Sequence, residues 1–288
     1  MDRRNFLKLT GVAGGTLLAH RGAAAAVPVA EGDTVGLLID TTYCIGCRSC
    51  EEACAREHGL PVPDISDESV FDAVRDTSER QWTLVNRFRK DGVDTFVKKQ
   101  CMHCLSPACA TACLTKAMER MPDGPVVWNE ARCMGCRYCM VSCPFDVPKF
   151  EYASPVPKIQ KCRLCWEELR QGKEPICVQN CSEPGRALQF GQRSELLREA
   201  RRRIATEPGR YVDHIYGESE AGGTSVLYLA GRPFDALGMR TDLGTAAFPE
   251  YTKPFLYSVP VILGLWPALM LGLHKALGRD DDAHGGEP

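Results

Sequence analysis

The sequence predicts an α+β chain, built of small cysteine-caged units of short helices and strands and ending in one membrane-crossing helix. Three observations predict it. Sixteen of the 288 residues are cysteine, and they fall into four quartets of related spacing with none left over. A run of 19 residues near the C-terminus, 255–273, carries no charge. Elsewhere the apolar runs are short, as in residues 225–230, Ser-Val-Leu-Tyr-Leu-Ala, which read as a buried strand.

Composition sets the first limits. A 44% hydrophobic and 25% charged chain is globular rather than disordered. With 35 Lys and Arg against 37 Asp and Glu, the formal charge is −2, which gives no footing for nucleic acid. The cysteine content is high for a cytosolic enzyme, yet below the roughly 8–10% of small disulfide scaffolds.

The N-terminus reads Met1-Asp2-Arg3-Arg4-Asn5-Phe6-Leu7-Lys8, followed by a small apolar stretch over 9–19 and then Ala23-Ala24-Ala25-Ala26. A basic start, a short apolar segment and an Ala-x-Ala site are the three parts of an export signal. Eleven apolar residues are too few to span a bilayer, which takes about 20. The paired arginines before Phe6-Leu7-Lys8 match a twin-arginine signal, residues 1–26, cut near Ala25 or Ala26. That route exports folded proteins and so suits one loaded with a cofactor beforehand. Removing the signal takes away four basic residues and one acidic residue and leaves the mature chain at −5.

At the other end, residues 255–273 would form a helix about 28 Å long at about 1.5 Å per residue, close to the roughly 30 Å hydrocarbon core. Pro260 and Pro267 would break a soluble helix but are tolerated in membrane helices. Lys253 precedes the run, and Lys275 and Arg279 follow it. The expected layout is a body of residues 27–253 on the periplasmic side, a transmembrane helix over 254–277 and a cytoplasmic tail over 278–288, weakly in line with the positive-inside rule.

The quartets are Cys44-x2-Cys47-x2-Cys50-x3-Cys54, Cys101-x2-Cys104-x4-Cys109-x3-Cys113, Cys133-x2-Cys136-x2-Cys139-x3-Cys143-Pro144 and Cys162-x2-Cys165-x11-Cys177-x3-Cys181. A [4Fe–4S] cube offers four iron corners, each taking one thiolate. A tight loop with cysteines three apart wraps three corners, and in two-cluster ferredoxins the fourth is taken by the last cysteine of the other motif. Zinc ribbons use two separated C-x2-C pairs and leave a third closely set thiolate without a role. Disulfides are allowed in an exported protein, but cysteines three apart on one loop seldom pair. The reading is iron–sulfur. All sixteen positions are cysteine, so the count is four [4Fe–4S] clusters with no corner left for a three-iron centre. Arg48, Arg137, Lys149, Lys161 and Arg163 lie in or beside the runs, where a positive charge raises a cluster's potential unless it is simply solvated.

These quartets resemble the sixteen-cysteine electron-transfer subunits of membrane oxidoreductases, the group that includes the dimethyl sulfoxide reductase and formate dehydrogenase subunits, over about residues 35–191. The resemblance implies two bacterial-ferredoxin-like 2[4Fe–4S] domains, one inserted in the other. One domain is split over 35–99 and 158–192, the other spans 100–157, and a helix and strand extension covers 193–253. It also implies the ligand sets: Cys44, Cys47, Cys50 with Cys181; Cys162, Cys165, Cys177 with Cys54; Cys101, Cys104, Cys109 with Cys143; and Cys133, Cys136, Cys139 with Cys113.

Within that group the chain resembles the iron–sulfur subunits of hydrogenase-2-type nickel–iron hydrogenases, the HybA type. It shares their separate twin-arginine signal, Lys99-Gln100-Cys101-Met102-His103-Cys104, Gly135-Cys136-Arg137-Tyr138-Cys139-Met140, and the stretch from His214-Ile215-Tyr216-Gly217-Glu218 to Gly222-Gly223-Thr224. The resemblance implies a non-catalytic, periplasm-facing subunit between the hydrogenase large and small subunits and a multi-pass, quinone-binding membrane subunit. The alternative is the same wire serving a formate dehydrogenase or another molybdenum enzyme.

The remainder reads as support. Residues 64–94 form a polar surface insertion between the first two quartets. Ser194 caps a helix whose Glu199 and Arg203 lie on a solvated face and which ends at Pro208-Gly209. Residues 232–253, rich in Pro and Gly, run along a partner toward the membrane. His103 is a surface or supporting residue rather than a ligand, and His274 snorkels or packs at the membrane edge. No H-E-x-x-H, G-x-S-x-G or P-loop sequence is present.

Overall fold

In the computed structural model, which describes residues 33–277, one strand organises the core. Strand β1 (Val35–Asp40) is buried along its whole length and lies at the centre of a three-stranded sheet. Its almost continuous apolar run has a physical cause, since both faces are covered. Val35, Leu37 and Ile39 pack toward Cys50, Val85, Leu164 and Cys177, while Leu38 packs on the other side against Leu196, Ala200 and Ile215.

Helix α1 (Ser49–Glu57) follows the first cysteine loop. Strands β2 (Leu84–Lys90) and β3 (Val93–Lys99) then form an antiparallel hairpin. Its two-residue turn, Asp91-Gly92, has φ of 53° and 76°, the left-handed pair that matches the twist of flanking strands. Part of the expected surface insertion is therefore core: Trp82 is 6% exposed and Leu84 and Val85 are fully buried. Residues 64–80 and the hairpin turn at 89–93 lie largely on the surface.

Next come α2 (Ala108–Thr111), the hairpin of β4 (Met118–Arg120) and β5 (Val126–Trp128), α3 (Tyr138–Val141), and the hairpin of β6 (Lys149–Phe150) and β7 (Ile159–Gln160). Helices α4 (Trp166–Leu169) and α5 (Ile176–Gln179) carry the fourth quartet. Strand β8 (Leu188–Gln192) returns antiparallel to β1. Helix α1 packs on α5, and α2 packs on α3, so the outer quartets meet each other and the inner quartets meet each other.

Helix α6 (Arg193–Thr206) covers the sheet, and β9 (Val226–Leu229) pairs parallel to β1 at the position expected for a buried strand. Two expectations about α6 fail. The N-cap residue is Gln192, while Ser194 lies in the first turn and its hydroxyl donates to Asp33 at 2.7 Å. Arg203 is not solvated: it is 6% exposed and bonds Asp40 at 3.0 Å, besides Glu199 at 2.8 Å. Residues 232–247 also pack on the chain's own body, with Phe234, Leu237, Leu243 and Ala247 buried and Tyr216 donating to the Arg240 carbonyl at 2.8 Å.

Helix α7 (Phe248–Leu277) begins six residues before the expected start at 254 and contains Pro254, Pro260 and Pro267. Among the described residues it is the one helix long and apolar enough to cross a membrane, with a mean hydropathy of 1.8 in its most apolar window, none of it buried. Its 30 residues reach about 45 Å, so it tilts or extends beyond a roughly 30 Å core. The expected signal, 1–26, and tail, 278–288, lie outside the described residues.

Candidate metal centres

The four cysteine loops share one backbone device. The residue before the second cysteine of each quartet has a positive φ: Gly46 at 73°, His103 at 47°, Gly135 at 74° and Leu164 at 53°. This bend curls each loop so that successive cysteines turn to the same side. At Gly46 only glycine fits, because a Cβ there would stand 2.5 Å from the Phe96 ring. His103 and Leu164 adopt the conformation at a cost of about 1–2 kcal/mol each. Burial holds them there, at 0% and 1% exposure. His103 is therefore no surface residue; its Nδ1 accepts the Val126 amide at 2.9 Å.

The electrostatic neighbours of the thiols define how they gather. Cys44 sits with Cys47 and Cys181, and Cys50 with Cys44. These four line one cavity with Ile39, Ile45, Val85 and Leu188. Cys54 sits with Cys162, Cys177 and Cys165. Cys104 sits with Cys101, Cys109 and Cys143, and Cys139 with Cys113, Cys133 and Cys136. The electrostatic neighbours thus group the thiols four by four. Electrostatic coupling also runs between sets, from Cys50 to Cys177, from Cys162 to Cys101 and from Cys109 to Cys139, which orders the four sets in a row.

The donor set fits cubes rather than single ions. A tetrahedral zinc with bonds of about 2.3 Å would draw four thiols to within roughly 4 Å of one another. Among the described residues no group of three or more His, Cys, Asp or Glu comes together as a single-ion site, and all sixteen cysteines are free thiols. The sulfurs of Cys44, Cys47, Cys50 and Cys181 line a cavity, as a cluster with four separate iron corners requires.

Burial pushes the thiols up: those of Cys44, Cys139 and Cys162 reach about 11, and those of Cys50, Cys54, Cys104, Cys109 and Cys165 rise as well. Ionisation there needs a positive partner, which iron supplies. Two thiols go the other way. Burial opposes ionisation of Cys47, but the hydroxyls of Ser182 and Ser49 outweigh it, donating at 3.2 and 3.5 Å. Burial likewise opposes ionisation of Cys113, where the Met118 amide at 3.3 Å and the Thr115 hydroxyl prevail. Further donors reach Cys162 from the Leu164 amide at 3.4 Å, Cys165 from the Ile176 amide at 3.4 Å, and Cys101 from Lys161 Nζ at 3.7 Å.

The basic residues singled out by the sequence divide. Arg48 is 2% exposed and ties down the following segment, donating to the Asp64 and Asp67 carbonyls at 2.9 and 2.8 Å. Lys161 is buried and donates to the Cys162 carbonyl at 2.8 Å. Arg137 lies over the rings of Phe150 and Tyr152, Lys149 pairs with Asp146 and Asp76, and Arg163 pairs with Glu167. His274 is exposed on α7. Sequence reasoning passed over two features at the clusters. His58 stacks on Trp82 with ring centres 4.7 Å apart and brings Nε2 to 3.7 Å from the Cys165 sulfur. Lys98 is buried among thiols of two sets.

Comparison with known proteins agrees with this geometry. Residues 93–193 match the 4Fe-4S dicluster domain family. The chain is 48% identical to a protein of Nitratidesulfovibrio vulgaris Hildenborough over 98% of its own length and 78% of that protein. It is 34% identical to the hydrogenase-2 operon protein HybA of Escherichia coli O157:H7, covering 99% of this chain and 98% of HybA. It is also 34% identical to the nitrate-inducible formate dehydrogenase iron–sulfur subunit of Escherichia coli K12, over 68% of this chain and 67% of that subunit. The sixteen cysteines and these relatives give four [4Fe–4S] clusters as the cofactors.

Proposed function

Because the chain belongs to the iron–sulfur subunit family of HybA and the formate dehydrogenases, we propose that it is a membrane-anchored, periplasm-facing electron relay between a nickel–iron hydrogenase and a quinone-reactive membrane subunit. It carries electrons and does no bond chemistry of its own. The proposed ligand sets are Cys44, Cys47, Cys50 and Cys181; Cys54, Cys162, Cys165 and Cys177; Cys101, Cys104, Cys109 and Cys143; and Cys113, Cys133, Cys136 and Cys139. The nested domains are proposed with their expected bounds, 35–99 with 158–192 around 100–157.

The single observation that carries this reading is the row of four thiol sets, electrostatically coupled through Cys50 and Cys177, Cys162 and Cys101, and Cys109 and Cys139. Bound there, each cube takes up and passes on one electron at a time. The chain's own part is to hold the cubes in sequence, exclude water with Ile39, Val85 and Leu188, and supply hydrogen bonds that steady the thiolates. Helix α7 supports anchoring, and the basic start of residues 1–26 supports export by the twin-arginine route.

Coverage favours the hydrogenase partner. HybA is matched over 98% of its length, against 67% for the formate dehydrogenase subunit. Anaerobic co-purification with metal analysis tests the proposal. Nickel together with at least sixteen irons per chain, beyond the partner's own iron, is expected. Molybdenum in place of nickel would move the chain to a formate dehydrogenase or related complex.

A further inference from the structure

Lys98, on β3, is 1% exposed, and its ammonium donates to Thr83 Oγ1 at 2.7 Å and to Gln100 Oε1. Among the described residues it forms no ion pair with a carboxylate. An ammonium stripped of water without a counter-charge costs several kcal/mol, and such groups are found paired or coordinating. Lys98 lines the cavity of Cys44, Cys47, Cys50 and Cys181, and the acidic groups that act on it electrostatically are the thiols of Cys177, Cys50, Cys162 and Cys54. They come from two different sets, the first and second of the row. Lys98 also belongs to the hairpin that Tyr228 fastens, its hydroxyl donating to the Lys98 carbonyl at 2.8 Å, so the position is fixed.

We propose that Lys98 is the shared counter-charge of the two cubes of the outer pair, a positioning residue that raises both their reduction potentials. The inference rests on the ligand sets proposed above. Its logic is electrostatic: a fixed positive charge in a site poor in water favours the more negative, reduced form of each neighbouring cube. Each reduction adds one electron and no proton, so a fixed charge acts on the electron affinity alone. The inner pair has Lys161 as its own buried cation, which acts on Cys109 and reaches Cys101, and Lys98 bears on it less.

The test is Lys98→Met, which keeps length and removes charge, beside Lys98→Arg, which keeps charge. Both are made in the full chain, prepared anaerobically in its complex, and read by iron content and by paramagnetic-resonance redox titration. With iron content equal to the parent complex, Lys98→Met is expected to lower two of this chain's four midpoints, each by a tenfold or greater change in the reduction equilibrium, 59 mV for one electron. Lys98→Arg should hold both midpoints near the parent values. Four unmoved midpoints in a fully loaded Lys98→Met protein would overturn the proposal. If Lys98→Met instead loses cubes, iron retained in Lys98→Arg supports the charge requirement, and iron lost in both variants overturns it. A parent chain with far fewer irons would fail the ligand assignment instead.

Discussion

Glu51 accepts the Val85 amide at 2.6 Å across 34 residues of sequence, and its side chain has no exposed area. Arg48 at 3.3 Å, Arg75 at 2.8 Å and the Gln81 amide at 2.8 Å complete its partners. The carboxylate sits one residue after Cys50, so it fixes the first cysteine helix to the β2–β3 hairpin that carries Lys98. Glu51→Ala strands Arg48 and the Val85 amide and is expected to destabilise the chain by about 3–5 kcal/mol. Glu51→Gln keeps some hydrogen bonds and should cost about 1–3 kcal/mol. Thermal unfolding with iron counting checks both, and equal stability of Glu51→Ala and the parent would refute the argument.

Arg203 makes the corresponding tie on the other face of the sheet. It reaches Asp40 at 3.0 Å and the carbonyls of Gly185 and Arg186 at 2.8 Å each. Asp40 is fully buried and also accepts the Tyr211 hydroxyl at 2.8 Å. Arg203→Met should cost about 3–5 kcal/mol, because a buried carboxylate loses its cation. The neighbouring Arg202→Met removes an exposed guanidinium and should stay within about 0.5 kcal/mol. Comparable losses in the two variants would show that the buried pair has no special weight.

Acid acts on the same helix through Glu199. Its hydrogen bond from Arg202 and then that from Arg203 hold its carboxyl at about 2, below the ordinary 4.5. A depressed folded-state value stabilises the fold above 4.5, and the contribution is lost as pH falls from 4.5 toward 2. Amide exchange over 193–206, compared between the parent and Glu199→Gln at each pH, should show a parent advantage at pH 6 that shrinks below 4.5. An advantage that grew on acidification would contradict the sign.

What the sequence disclosed was what depends on local spacing. The four quartets, the apolar stretch of α7 and the strand at 226–229 are legible because a few adjacent residues carry each of them. The β2–β3 hairpin had a local signal too, Asp91-Gly92 between β-branched and aromatic residues, and charge around it hid the signal. Lys98, Glu51 and Arg203 were illegible for another reason. Each is a charged residue in a polar stretch, and its burial comes from partners 15 to 163 residues away. The serine at 194 misled because a capping residue type lay two positions late, where Asp33 holds it instead.

The crossing of ligands between quartets is the most exposed part of the assignment, and two cysteines on one short segment test it. Cys177 lies in α5 and Cys181 two residues past its end, yet Cys177 is coupled to Cys54 and Cys165, while Cys181 is coupled to Cys47. If each quartet held its own cube, serine at either position would disturb one and the same signal. Crossed ligation makes the two substitutions diverge. Cys181→Ser should alter the line shape and midpoint of the cube that Cys47→Ser also alters, and Cys177→Ser should alter the one shared with Cys54→Ser. Paramagnetic-resonance titration of the four single variants separates the cases, since each thiolate lost changes the ligation of one iron corner only. Matching changes from Cys177→Ser and Cys181→Ser would assign the fourth quartet to a single cube and undo the row.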